Sequence, residues 1–152
     1  MKRLILVPFA ILLFSCSTTK TTSEGNKATS EIKKPSGSAL YEVLSKSAYQ
    51  GKEEKSFEII KDKAALVKLY EGIHDTEIPK VDFSKARIVA LFLGQRSSGG
   101  YEINIKNVEE KDNKIYITIE EVSPNAGDMA TMAITNPFIV AKINSTKEIV
   151  FK

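Results

Sequence analysis

The chain has 152 residues, a formal net charge of +3 from 22 Lys and Arg against 19 Asp and Glu, and one cysteine. Lys2 and Arg3 fall in a segment that reads as a cleaved leader, so loss of those two charges takes the body from +3 to +1. That near-neutral balance excludes a nucleic-acid footprint, which needs basic residues concentrated on one face, and one cysteine excludes an internal disulfide framework.

Residues 1–16, MKRLILVPFAILLFSC, have a basic start, an apolar core over 4–14 and the small Ser15 immediately before Cys16. This is the layout of a secretory signal sequence, too short to persist as a spanning helix. The run Leu13-Phe14-Ser15-Cys16 resembles the lipobox of bacterial lipoproteins. The resemblance implies cleavage before Cys16, lipidation of Cys16, and residence at a membrane of the bacterial cell envelope. Ser17 is not the acidic residue that retains some lipoproteins at the inner membrane, which favours an outer membrane where one exists. Residues 17–38 contain one aliphatic residue larger than alanine, Ile32, and are otherwise mostly Ser, Thr, Lys, Glu, Gly, Asn and Pro. So little apolar surface cannot offset the entropy of ordering, which predicts a disordered tether with a reach of roughly 25 Å. A single folded domain is expected over 39–152.

Within that domain, residues 40–49 and 56–60 read as two strands. The polar, glycine-containing link 50–55 predicts that they form a hairpin. Asp62 is the expected N-cap of one helix whose stripe is Leu66, Leu69, Tyr70 and Ile73, at the i, i+3, i+4, i+7 places of a single face. Pro79 prevents a restart. Residues 88–93, IVALFL, suit a strand buried on both faces, and Tyr101, Ile103 and Ile105 alternating with Glu102, Asn104 and Lys106 suit one buried on a single face. The link between them is Gly94-Gln95-Arg96-Ser97-Ser98-Gly99-Gly100, whose double glycine permits positive φ or close approach of another chain.

A polar turn at 111–114 leads to a strand in which Ile115, Ile117 and Ile119 point inward. The loop 123–128 is followed by an expected strand over 129–135. Asn136-Pro137 breaks it, and strands over 138–143 and 148–151 close the chain. The sum is an α+β, mainly antiparallel β fold, a sheet or sandwich of seven to eight strands with one amphipathic helix.

Candidates for chemistry are few. Glu109-Glu110 and Glu120-Glu121 are adjacent pairs, and strand neighbours point to opposite faces, so they do not form an acid/base couple. His74, the only histidine, lies outside every glycine-rich loop and reads as an exposed residue near a helix C-terminus. The loop carrying Ser97 and Ser98 fits neither a nucleophile elbow nor a phosphate loop, and Asp112 and Asp128 lack calcium-loop spacing. The expectation is a protein without catalytic activity, cofactor or metal. The binding edge is expected at Gln95, Arg96, Ser97, Ser98, Gly99, Gly100 and Tyr101, with Asn136, Pro137 and Phe138, where arginine and aromatic side chains stand beside adaptable glycine and serine. The competing reading leaves Arg96 merely solvated and puts Tyr101 and Phe138 in the core.

In order along the chain, Val81-Asp82-Phe83-Ser84-Lys85, Ile88 to Gly94, Ser98-Gly99-Gly100-Tyr101, the Pro124/Gly127 loop and Thr135-Asn136-Pro137-Phe138 resemble the C-terminal domain of PrcB-like proteins, the protease-complex stability lipoproteins. The resemblance covers roughly 59–152. It implies a non-catalytic, membrane-tethered lipoprotein that binds and stabilises an exported protein, a protease complex in the family's type member. The run 96–101 also resembles the Thr-Gly-aromatic loop of chagasin-type cysteine-protease inhibitors, which implies inhibition as an alternative. A third reading is an exported domain that binds a small ligand or glycan.

Overall fold

In the computed structural model the described residues are 40–127 and 129–152; the leader, Cys16, the tether and Asp128 lie outside them. The elements are β1 (Tyr41–Ser47), β2 (Ser56–Ile60), α1 (Lys63–Gly72), β3 (Arg87–Phe92), β4 (Glu102–Lys111), β5 (Lys114–Val122), β6 (Phe138–Ile143) and β7 (Glu148–Phe151).

Every residue of β3 from Ile88 to Phe92 is buried. Such a strand has no polar face to give to water, so it must be covered on both sides, and its neighbours provide that cover. It sits inside a four-stranded antiparallel sheet ordered β1-β6-β3-β2. Val89 and Leu91, with Ile139, Ala141 and Ile143 of β6, pack on a second sheet through Ile103, Ile105, Val108, Ile115, Ile117 and Ile149. On the opposite face Ile88, Ala90 and Phe92, with Phe138 and Val140, pack on Leu66, Leu69, Tyr70 and Ile73 of the helical segment. The result is three layers: helix, four-stranded sheet, three-stranded sheet. Each of these fully buried large side chains contributes roughly 1.5–3 kcal/mol by leaving water.

The second sheet has the order β4-β5-β7, with β4 and β5 antiparallel and β5 and β7 parallel. The β4–β5 turn places Asp112 and Asn113 at φ of 50° and 58°, the left-handed pair that a two-residue hairpin requires and that Asp and Asn tolerate. A bulge between Ile105 and Asn107 inserts one extra residue into β4. It switches the parity of the strand, so that Val108 points inward beside Ile103 and Ile105.

The helix begins as its sequence indicates. The Asp62 carboxylate accepts from the Ala65 amide at 2.9 Å, satisfying one of the amides that the first turn leaves unpaired. At its far end His74 adopts φ 55° and is exposed.

Two expected features are absent. β1 and β2 do not form a hairpin: they occupy opposite edges of the four-stranded sheet, because the two most apolar strands, β3 and β6, take its centre. The edge places go to strands that carry outward charges, Glu42 and Lys46 on β1 and Glu58 on β2. The strand expected over 129–135 is not formed either, and only an isolated bridge joins Thr135 to Arg96. Its natural partner, the segment 94–100, turns through positive φ at Gly94 and Gly100 and cannot extend a ladder.

Candidate functional site: a junction of three loops

Beyond the end of β3 the chain runs into two other loop segments and is bonded to both. The Leu93 amide donates to the Pro137 carbonyl at 2.9 Å, and the Gln95 amide to the Glu53 carbonyl at 2.9 Å. Arg96 and Thr135 exchange both backbone bonds, at 2.8 and 3.0 Å, and the Thr135 hydroxyl donates to the Ser98 carbonyl at 2.9 Å. The Gly99 amide donates to the Thr131 carbonyl at 2.9 Å. A third set of bonds closes the junction: Asn136 donates to the Ala48 carbonyl at 2.8 Å, and Gly51 donates to the Asn136 carbonyl at 2.8 Å. Segments 48–55, 93–101 and 131–137 are therefore joined by hydrogen bonds.

Glycine sits at these crossings for identifiable reasons. A β-carbon at Gly51 would stand 2.5 Å from the Asn136 carbonyl oxygen, and one at Gly99 would stand 2.4 Å from the Thr131 hydroxyl oxygen. Gly100 has φ +85° and faces Pro124, where a β-carbon would find its nearest neighbour at 3.1 Å. The close approach expected of the double glycine is real, but the approaching residues are the protein's own Pro124 and Thr131. The link is a closed seam and not a free edge.

The expected binding residues divide by burial. Gln95, Ser97 and Gly100 are exposed, and Arg96, Ser98, Tyr101 and Asn136 are half-buried. The Arg96 guanidinium carbon lies 5.7 Å from the centre of the Tyr101 ring, a cation–π distance, and its terminal nitrogen donates to the Gln95 carbonyl at 3.2 Å. Gly99 and Pro137 are buried. Phe138 is a correction: its side chain is sealed in the helix-side core, its ring 6.0 Å from that of Phe92. As the first residue of β6 it must point to one face of a covered sheet, so it holds the corner in place and offers no surface. The Asn136 side-chain oxygen is buried with no donor among the described residues.

Sequence reasoning missed the apolar side chains at this junction. Tyr49 is 61% exposed, Met129 and Met132 are wholly exposed, and Ile134 is 65% exposed. The available signal was that Met129 and Met132 are the only methionines after Met1, both within a segment rich in small residues. Three ion pairs lie nearby. Lys55 meets Glu121, Lys52 meets Glu58, and Lys46 meets Glu102 at 2.7 Å. The Lys46 ammonium, hydrogen-bonded to Glu102, holds that carboxyl below its ordinary range. The junction thus presents a guanidinium stacked on a ring, paired rim charges, and exposed thioether and aliphatic groups.

The adjacent carboxylates behave as strand neighbours should. Glu109 faces Lys152 and Glu110 faces Lys147, while Glu120 faces Lys106 and Glu121 faces Lys55. Among the described residues no three His, Cys, Asp or Glu side chains cluster as metal ligands, and no helix is long and apolar enough to cross a membrane.

Residues 87–144 match the family model described as PrcB C-terminal, the family that the sequence motifs resemble. The matched segment is shorter than the resemblance read from sequence. It runs from β3 to the residue after β6 and contains segments 93–101 and 124–137, leaving β1, β2, α1, β7 and segment 48–55 outside. Among curated proteins and among solved structures, none matches the chain.

Proposed function

Taking residues 87–144 as a PrcB C-terminal segment, we propose that the protein is a non-catalytic accessory lipoprotein of the cell envelope that binds and stabilises an exported protein, a protease complex by family, through the three-loop junction. Lipidated Cys16 would hold it at the membrane, with an outer membrane favoured where one exists, and the tether over 17–38 would let the body reach a partner roughly 25 Å away.

One observation carries this reading. Two of the motifs that give the family resemblance, at 98–101 and 135–138, are 34 or more residues apart, yet the first is hydrogen-bonded to the second at Ser98–Thr135 and to the chain just before it at Gly99–Thr131. A core needs apolar side chains and has no use for such a seam. A docking surface does, because loops already fixed by their own chain lose less conformational entropy on binding. The exposed apolar side chains and the Arg96–Tyr101 stack are of the types that anchor protein interfaces.

The test is recovery of exported proteins from a membrane fraction with the full-length chain and with Arg96→Ala. Capture of a defined partner that Arg96→Ala weakens, with an unchanged circular dichroism melt, supports the reading. Equal capture by both removes the junction from the interface. Stoichiometric slowing of a cysteine peptidase by the soluble body would replace stabilisation with inhibition, and a thermal shift with a glycan would favour the ligand-binding reading.

A further inference from the structure

We infer that Met129 and Met132 form an oxidation site that switches the docking surface of the three-loop junction, an inference that rests on the docking reading above. Both side chains are wholly exposed, whereas the large apolar side chains of the two cores are sealed. They contribute nothing to either core, so chemistry at their sulfurs acts on the surface and spares the fold.

The segment that carries them is not loose chain. Thr131 is held by the Gly99 amide, and Thr135 is held by Arg96 and by Ser98. Between these two clamps Met132 and Ile134 project outward, and Met129 stands just ahead of the first. A thioether is apolar, polarisable and adaptable, and suits an apolar cleft on a protein partner. For this segment a lipid surface is the less suitable partner, because residues 122–136 contain no Lys, Arg, Trp, Tyr or Phe, the types that seat a segment at a bilayer interface.

The oxidant is a peroxide. A lone pair on the thioether sulfur attacks one peroxide oxygen, the S–O bond forms as the O–O bond breaks, and the hydroxyl now on sulfur gives its proton to the departing hydroxide, which leaves as water. The sulfur gives up two electrons and the peroxide accepts them. The product is a sulfoxide, a polar and chiral group in place of an apolar one, which an apolar cleft receives poorly.

The experiment uses the full-length lipidated protein in detergent, treated with hydrogen peroxide. Peptide mass spectrometry follows the tryptic segment 115–142, which contains both methionines. Each should gain one oxygen within about threefold of the rate of a free N-acetylmethionine amide, as full exposure requires. The circular dichroism melt should not move. Recovery of the partner from a membrane fraction should fall about tenfold after treatment, and the Met129→Leu/Met132→Leu variant, apolar but inert to peroxide, should keep its recovery. Oxidation slowed by about tenfold or more, a lowered melt, or unchanged recovery by the oxidised protein would each overturn the switch. If the untreated protein recovers no partner, the docking reading itself falls and takes the switch with it, an outcome that the oxidation rates keep distinct from a shielded sulfur.

Discussion

Gly99 and Thr131 meet at the centre of the junction: the Gly99 amide donates to the Thr131 carbonyl at 2.9 Å, and a β-carbon at Gly99 would lie 2.4 Å from the Thr131 hydroxyl oxygen. The clash is with a side-chain atom and the Gly99 backbone is not left-handed, so the requirement belongs to the pair. Gly99→Ala is expected to cost about 1–2 kcal/mol in urea unfolding, within the range for overpacking a tight contact. Thr131→Ala, nearly neutral alone, should recover most of that loss in the double variant, giving a clear coupling energy.

Gly100 sets a contrast. Its φ of +85° strains any side chain whatever space surrounds it. Gly100→Ala should cost about 1–2 kcal/mol, and Pro124→Gly, which removes the β-carbon nearest to the new methyl, should show no coupling with it, because the penalty lies in the backbone. The same urea titrations distinguish the two neighbouring glycines.

Phe138 and Ile134 separate support from surface at the same corner. Phe138 is sealed against Phe92, and Phe138→Ala should cost about 3–5 kcal/mol. Ile134 is 65% exposed, and Ile134→Ser should stay within about 0.5 kcal/mol of the parent in the same assay.

Alkaline pH probes the helix side. Burial, with the Asp75 carboxylate adding to it, pushes the Tyr70 phenol up to about 12 from an ordinary value of 10.0. The folded state therefore favours the neutral phenol. Its contribution to stability is whole below pH 10 and is lost as pH rises through 12. A urea-midpoint profile should fall across that window, and Tyr70→Phe should flatten the fall, leaving the smaller part due to Tyr41, whose phenol is also raised by burial.

Much of this architecture was legible in the residues. The run at 88–93 announced a strand covered on both faces, the stripe Leu66-Leu69-Tyr70-Ile73 announced the helix face, and Asp62 announced its cap, because each signal is a local periodicity or a local hydrogen bond. Pairing was not legible. The order β1-β6-β3-β2 depends on which strands are most apolar when all are compared, and a polar link between two strands does not make a hairpin when each has a better neighbour. The site was half legible. The double glycine marked a close approach, but nothing in the residues indicated that the approaching residues would be Pro124 and Thr131, or that Met132 and Ile134 would project between the clamps. Phe138 was misplaced because an aromatic residue after Asn-Pro looks like a corner, whereas the first position of a central strand faces inward.

The central claim is that the three-loop junction is the face that meets an exported partner. A photo-crosslinking residue placed at Ser97, exposed on the junction, is compared with one at Asn107, exposed midway along β4, both in the full-length chain in a native membrane fraction. The account predicts a discrete adduct with an exported protein from position 97 and none from position 107. Adducts of equal yield from both positions, or from 107 alone, would contradict it.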